Sequence, residues 1–289
     1  MTGIHGQQRY LDSIFSKIKL ETLVYSDTLL LDFYASPEDT VAKKPLIMLV
    51  HGGGFASGKR NNPFEQKFCM DMAQRGYAVA SISYHLTRKG KSFGCDCPAI
   101  EKVSTFQSVS EDVLLATQYL VQNHVTLGFD ANNIILVGSS AGAEAVLNTI
   151  FMKNHKDFKS LPYGQSQFAG VISFAGAVIN VDYITKETAV PTMLFHGVMD
   201  RLVPYDTAPH HYCAESMPGY LMLNGSKAIA QKLRSLCVPY TLCFDEKGNH
   251  DWANLAYNRT DDIAKFVKSI ILDGIAAQSE IRLIAKNQK

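Results

Sequence analysis

Residues 133–142 read NIILVGSSAG, a short apolar run that ends in Gly138-Ser139-Ser140-Ala141-Gly142, with a helical pattern following to about Lys153. An apolar run of this length, bounded by glycine, is expected of a strand buried on both faces. G-x-S-x-G at the junction of such a strand with a helix puts its central residue, Ser140 rather than Ser139, on a strained turn that exposes the hydroxyl. The flanking glycines are expected because strand and helix approach too closely there for side chains. The pattern also occurs by chance as a plain glycine turn, so its meaning depends on the rest of the chain.

Outward from this stretch the chain alternates strand and helix. Upstream, PLIMLV (45–50) runs straight into HGGGFASGKR (51–60). A helix follows over 62–76, with Asn62 as cap, Pro63 in the first turn and Gly76 as the stop. YAVASIS (77–83) is the next strand and SEDVLLATQYLVQNH (110–124) the next helix. Downstream come strands GVISFAG (170–176) and PTMLFHG (191–197), helix SKAIAQKLRSL (226–236), strand YTLCFDE (240–246) and a last helix DDIAKFVKSIILDG (261–274). Near the N-terminus KLETLVY (19–25) and LLLDFYA (29–35) pair as strands about the turn residues Ser26 and Asp27. This order predicts an α/β fold with a mostly parallel central sheet and helices on both faces, organised as one domain over 1–289. Ligands of such sheets sit outside the carboxyl ends of the strands. Two long loops, about 84–109 and 205–225, interrupt the alternation and are candidates for a cover over that edge.

Composition excludes several classes. The chain is 46% apolar and 19% charged, with 28 basic residues against 27 acidic ones, so it offers no electrostatic footprint for nucleic acid or an anionic membrane. Its apolar runs fall far short of the roughly 20 residues that span a bilayer. The start, MTGIHGQQRYLD, lacks a charged n-region followed by an apolar h-region, so no signal peptide is expected within the numbered sequence. Of six cysteines, Cys95 and Cys97 are the candidates for disulfides, because a polar loop gains most from a staple. That loop favours a secreted or periplasmic setting over a cytoplasmic one. A zinc site built on them with Cys213 and His210 or His211 lacks the usual structural ligand spacing.

A serine hydroxyl is a poor nucleophile at neutral pH and needs a base, which in turn needs an orienting group. LFHGVMDRLVP supplies Asp200 just beyond a core strand, with Asp206, Asp182 and Asp251 as rivals. FDEKGNHDW supplies His250, the one histidine of nine in a glycine-containing loop ahead of the final helix. HGGGFASGKR admits two readings. A phosphate loop requires a helix beginning at Lys59 and a metal-binding hydroxyl at position 60, where Arg60 stands. An oxyanion site requires N–H donors from a loop after an early core strand and from the residue after the nucleophile. Gly53, Gly54 and Ala141 meet that second requirement.

HGGGF, GSSAG, HGVMDRLVP and GNHDW together resemble the α/β-hydrolase superfamily, and within it the serine carboxylesterases with an HGGG oxyanion motif, the hormone-sensitive-lipase-like group and its neighbours. The resemblance spans about Pro45 to Gly274. It implies Ser140 as nucleophile, His250 as general base and acid, Asp200 as the orienting acid, and Gly53, Gly54 and Ala141 as oxyanion donors, with neither metal nor cofactor. Ser139 and His85 depart from the residues usual beside the nucleophile and after the strand tyrosine, and the cysteine-bearing loop replaces a proline-rich stretch. The activity expected is cleavage of short-chain acyl or aryl esters. A serine peptidase of the prolyl-oligopeptidase type and a catalytically silent ligand-binding hydrolase fold are the alternatives. Phe55, Tyr205, His211, Tyr212 and Trp252, with Met217 and Tyr220, are candidates for a substrate pocket. Glu144, one turn past Ser140, is placed to touch the catalytic neighbourhood, but a glutamate in the first turn is also favoured by the helix dipole, and that is the preferred explanation.

Overall fold

The computed structural model describes residues 8–283. Strands β1 (Lys19–Ser26) and β2 (Leu29–Ala35) form the expected antiparallel hairpin. β3 (Lys44–Val50) is buried along its whole length, and its side chains alternate between two cores: Leu46, Met48 and Val50 enter one, Ile47 and Leu49 the other. An apolar run without alternating polar residues has this consequence, since both faces of the strand must be covered. Helices α1 (Pro63–Gln74), α2 (Ala99–Gln122) and the one-turn α3 (His124–Leu127) flank β4 (Ala78–Ile82) and lead to β5 (Phe129–Ser139) and α4 (Ala141–Phe151). Then follow β6 (Gly170–Phe174), β7 (Ala177–Val178), β8 (Thr192–Gly197), β9 (Thr207–Pro209), β10 (Met222–Gly225), α5 (Ser226–Ser235), β11 (Tyr240–Asp245), α6 (Trp252–Leu255), α7 (Thr260–Phe266) and β12 (Gln278–Arg282).

The main sheet has the strand order β1-β2-β4-β3-β5-β6-β8-β11-β12. β1/β2 and β2/β4 are antiparallel, and every other neighbouring pair is parallel. Helix α4 is buried at every position in the middle of one covering layer, which is why its sequence AGAEAVLNTIF has no solvent face. No helix among the described residues is long and apolar enough to cross a membrane.

The elements differ from the sequence expectation at three places. Helix α2 begins at Ala99, eleven residues before the expected start, so the first long loop closes at Pro98. Val103, Phe106, Val109 and Val113 enter the core at helical spacing, and this apolar stripe outweighs the polar look of the segment between them. Within 205–225, β9 and β10 join β7 in a small antiparallel sheet. β12 is an edge strand paired parallel to β11, and its exposed polar sequence QSEIR carries no periodic signal. The Cys95 thiol is bonded to Cys213, so the staple joins the two long loops to each other, and Cys97 stays a buried free thiol.

Candidate active site

The loops after β3, β5, β8 and β11 leave parallel strands at their carboxyl ends and meet along one edge of the sheet. Ser140 sits on the turn between β5 and α4 at φ +51°, a left-handed conformation that costs a serine about 1–3 kcal/mol and is held by the packed strand and helix around it. A Cβ on Gly142 would lie 2.1 Å from the Val50 carbonyl oxygen, so only glycine lets α4 start this close to β3.

Ser140 Oγ is 2.8 Å from His250 Nε2, and His250 Nδ1 is 2.7 Å from Asp200 Oδ2. Asp200 is fully buried, and its other oxygen accepts the backbone N–H groups of Leu202 at 2.8 Å and Val203 at 3.0 Å. Burial alone would raise this carboxyl's pKa, but hydrogen bonds from His196 and His250 outweigh it and hold the group well below the usual carboxylate range. Asp200 therefore stays ionised beside the imidazole. Of its rivals, Asp206 pairs with Lys227 at 2.7 Å, Asp182 lies near Lys232 at 3.9 Å, and Asp251 is exposed.

His196 escaped the sequence reading. It is fully buried, with Nε2 3.3 Å from Asp200 Oδ2 and 3.1 Å from the Val203 carbonyl, and Nδ1 2.7 Å from Ser226 Oγ. A histidine inside a core strand, four residues before the acid, was the available signal.

Gly53 and Gly54 both have positive φ (+119° and +60°), which turns the loop backbone toward Ser140. The N–H groups of Gly53, Gly54 and Ala141 have no acceptor among the described residues. His51 braces the loop: it stacks on Tyr84 at 4.3 Å, and its carbonyl accepts the Tyr84 hydroxyl at 3.0 Å. Helix α1 starts only at Pro63 and Arg60 turns to Asp32 at 3.0 Å, so the segment does not have the form of a phosphate loop. His85 is held by Asp112, whose oxygen lies 2.9 Å from its Nδ1.

A cleft of about 670 Å³ opens over Ser140, with Phe64, Glu65, Phe93, Leu202, Val203 and His210 among its walls. Of the five aromatic pocket candidates, His211 alone lines it. Phe55 is buried beneath the glycine loop against Phe93 and Phe106, with ring centroids at 5.0 and 5.7 Å. Trp252 donates its indole N–H to Asp245 at 3.2 Å, and Tyr205 packs on His196 at 5.7 Å. Tyr212 lies under Arg201 at 4.8 Å, while Met217 is a half-exposed loop residue and Tyr220 also stays outside the cleft. These rings are drawn off by the cores and loops they pack, since nearness in sequence does not set the direction of a side chain. Glu144 stands in the first turn of α4 and, at 2% exposure, also lines the cleft, so it does reach the neighbourhood of Ser140.

A mostly parallel sheet with a serine on the strained strand-to-helix turn defines the α/β-hydrolase class. Within it the chain belongs to the BD-FAE family, an α/β-hydrolase-type esterase family whose model matches residues 31–179. Thermogutta terrifontis esterase 2 is a structural neighbour. Its butyrate-bound form superposes with a TM-score of 0.61 at 19% identity over 89% of this chain and 95% of that one. The form phosphorylated by paraoxon gives 0.62 at 20% identity over 94% and 99%. Among curated relatives, an ethyl acetate hydrolase of Pseudomonas putida is 29% identical over 117 residues, 40% of this chain and 32% of that protein. The neuroligin-like protein glit-1 of Caenorhabditis elegans is 25% identical over 146 residues, 50% of this chain and 17% of its own length. The match thus spans about a third or less of either curated relative.

Proposed function

We propose that this protein is a serine carboxylesterase acting on small carboxylic esters. The hydrogen-bonded series Ser140–His250–Asp200 carries the reading. His250 Nε2 takes the hydroxyl proton as Ser140 Oγ attacks the ester carbonyl carbon, and the imidazolium that forms is stabilised by the buried Asp200 carboxylate. The carbonyl oxygen becomes an oxyanion that accepts from the N–H groups of Gly53, Gly54 and Ala141. Collapse breaks the bond to the alcohol oxygen, which leaves with the proton from His250. Water, deprotonated by His250, then attacks the acyl-Ser140 ester; the second tetrahedral intermediate expels Ser140 Oγ, which recovers its proton, and the acid is released.

The described residues act as one hydrolase domain, with the loops 83–98 and 205–221 as a cover over the alcohol and acyl positions. Their disulfide and the cleft-lining Phe93, His210 and His211 support this assignment. The names of the relatives support ester cleavage: one hydrolyses ethyl acetate, and another is phosphorylated by paraoxon.

The test is intact-protein mass after fluorophosphonate treatment, with hydrolysis of ethyl and aryl acetates and butyrates, on wild type and Ser140→Ala. One adduct on the wild type, none on Ser140→Ala, and turnover lost by about 10⁴-fold or more are expected. An unlabelled wild type without turnover would sink the proposal and favour a silent ligand-binding fold.

A further inference from the structure

Glu144 lies one helical turn beyond Ser140, its backbone N–H bonded to the Ser140 carbonyl at 2.9 Å. Side chains on a helix lean toward its N-terminus, so Glu144 points back along α4 toward the end that carries Ser140. His210 closes on it from the second long loop, with Nε2 3.3 Å from Glu144 Oε1 but out of line for a hydrogen bond. Both line the cleft, although they are only 2% and 1% exposed. Glu144 Oε1 and His210 Nδ1 are buried with no hydrogen-bond partner among the described residues.

A buried polar atom without a partner is costly, and a folded chain keeps few of them. The surroundings do not supply the missing bonds. Phe93 and Phe106 pack edge-to-face with His210, with centroids at 5.3 and 6.3 Å, and the buried Lys102 ammonium donates to the Gly219 carbonyl at 2.9 Å. Burial pushes the Glu144 carboxyl well above its usual range and His210 well below its own. A carboxyl beside an imidazole brings both a donor and an acceptor to the same stretch of the cleft wall.

We infer that Glu144 and His210 form a recognition pair for a hydroxyl group carried two or three bonds from the scissile carbonyl, making the enzyme selective for hydroxylated short esters over their alkyl isosteres. The inference rests on Ser140 being the esterase nucleophile. A hydroxyl supplies one donor and one acceptor, matching Glu144 Oε1 and His210 Nε2, which face each other at 3.3 Å without a hydrogen bond, whereas a methyl group of the same size leaves them unpaired. Sites built to bond a hydroxyl discriminate strongly against analogues that lack it.

The measurement is kcat/KM for two isosteric pairs. Ethyl 3-hydroxybutanoate against ethyl 3-methylbutanoate places the hydroxyl on the acyl side; 2-hydroxyethyl butanoate against propyl butanoate places it on the alcohol side. The wild type should favour the hydroxylated member of one pair by about 10–100-fold, and the pair showing it assigns the side. Glu144→Met and His210→Phe, which keep bulk and ring packing, should bring that ratio to within about threefold of unity, whereas Glu144→Gln should retain most of it. If Glu144→Met does not fold, the ratio is read on His210→Phe and Glu144→Gln. A wild-type ratio near one in both pairs overturns the inference while alkyl turnover leaves the esterase reading standing. A preference that survives both Glu144→Met and His210→Phe overturns it as well. Absence of turnover on every ester, with no fluorophosphonate adduct, defeats the underlying esterase reading instead.

Discussion

At the scale of single residues, Asp200 is held from four directions, by His250, His196 and the N–H groups of Leu202 and Val203. A carboxylate so fixed orients the His250 ring, and an amide in its place favours the wrong tautomer. Asp200→Asn should therefore lower the rate of fluorophosphonate labelling of Ser140, and kcat with it, by about 10³–10⁴-fold. A loss below tenfold would mean that another group orients the histidine. Ser140, Asp200 and His250 were legible in the sequence because each lies in a short loop after a strand, where chain order and turn residues limit the choice. The cleft walls were not, because Phe55 and Trp252 belong by sequence to the site and by packing to the core.

Among the elements, the two long loops carry the walls that the sheet edge lacks, and the Cys95–Cys213 bond joins them across 118 residues of sequence. Cross-links closing so long a loop stabilise chiefly by restricting the unfolded chain. Cys95→Ser should lower unfolding free energy by about 2–4 kcal/mol, read as a fall in the urea midpoint together with a steeper slope, since the unfolded chain is freed to expand. The same midpoint in wild type treated with reductant should match the variant. Equal midpoints for oxidised wild type and Cys95→Ser would show that the bond adds nothing. The early start of α2 and the edge strand β12 belong to this scale too. The first was hidden by polar residues between core-facing ones, the second by the lack of any buried face.

For the whole molecule, burial sets the response to acid. His51 and His211 are lowered to about 4, first by burial, and His210 lies well below its ordinary value for the same reason. The unfolded chain takes up these protons as pH falls below about 6.5, whereas the native state does not until about pH 4, so stability present above that window declines within it. Asp200 acts lower down: its contribution is complete above the unfolded carboxyl pKa of about 3.9 and is lost as pH falls further. The raised carboxyls of Glu144 and Glu65 act in the opposite sense, so the histidine contribution is read as a difference: between pH 6.5 and 4.5 the urea midpoint of His211→Asn should fall less steeply than that of the wild type. Equal slopes for the two proteins in this range would contradict the burial assigned to His211.

By itself the amino-acid sequence determined the alternation of elements, the parallel sheet, the strained serine turn and the chain order of Ser140, Asp200 and His250 in loops at one edge of the sheet. These follow from local periodicity and turn chemistry, which act over a few residues. Tertiary structure alone decided that Cys95 bonds Cys213, that His196 supports Asp200, and that Glu144 meets His210 in the cleft wall. Cys95–Cys213 and Glu144–His210 join residues far apart in the chain, and all three arrangements depend on how helices, strands and loops close on one another.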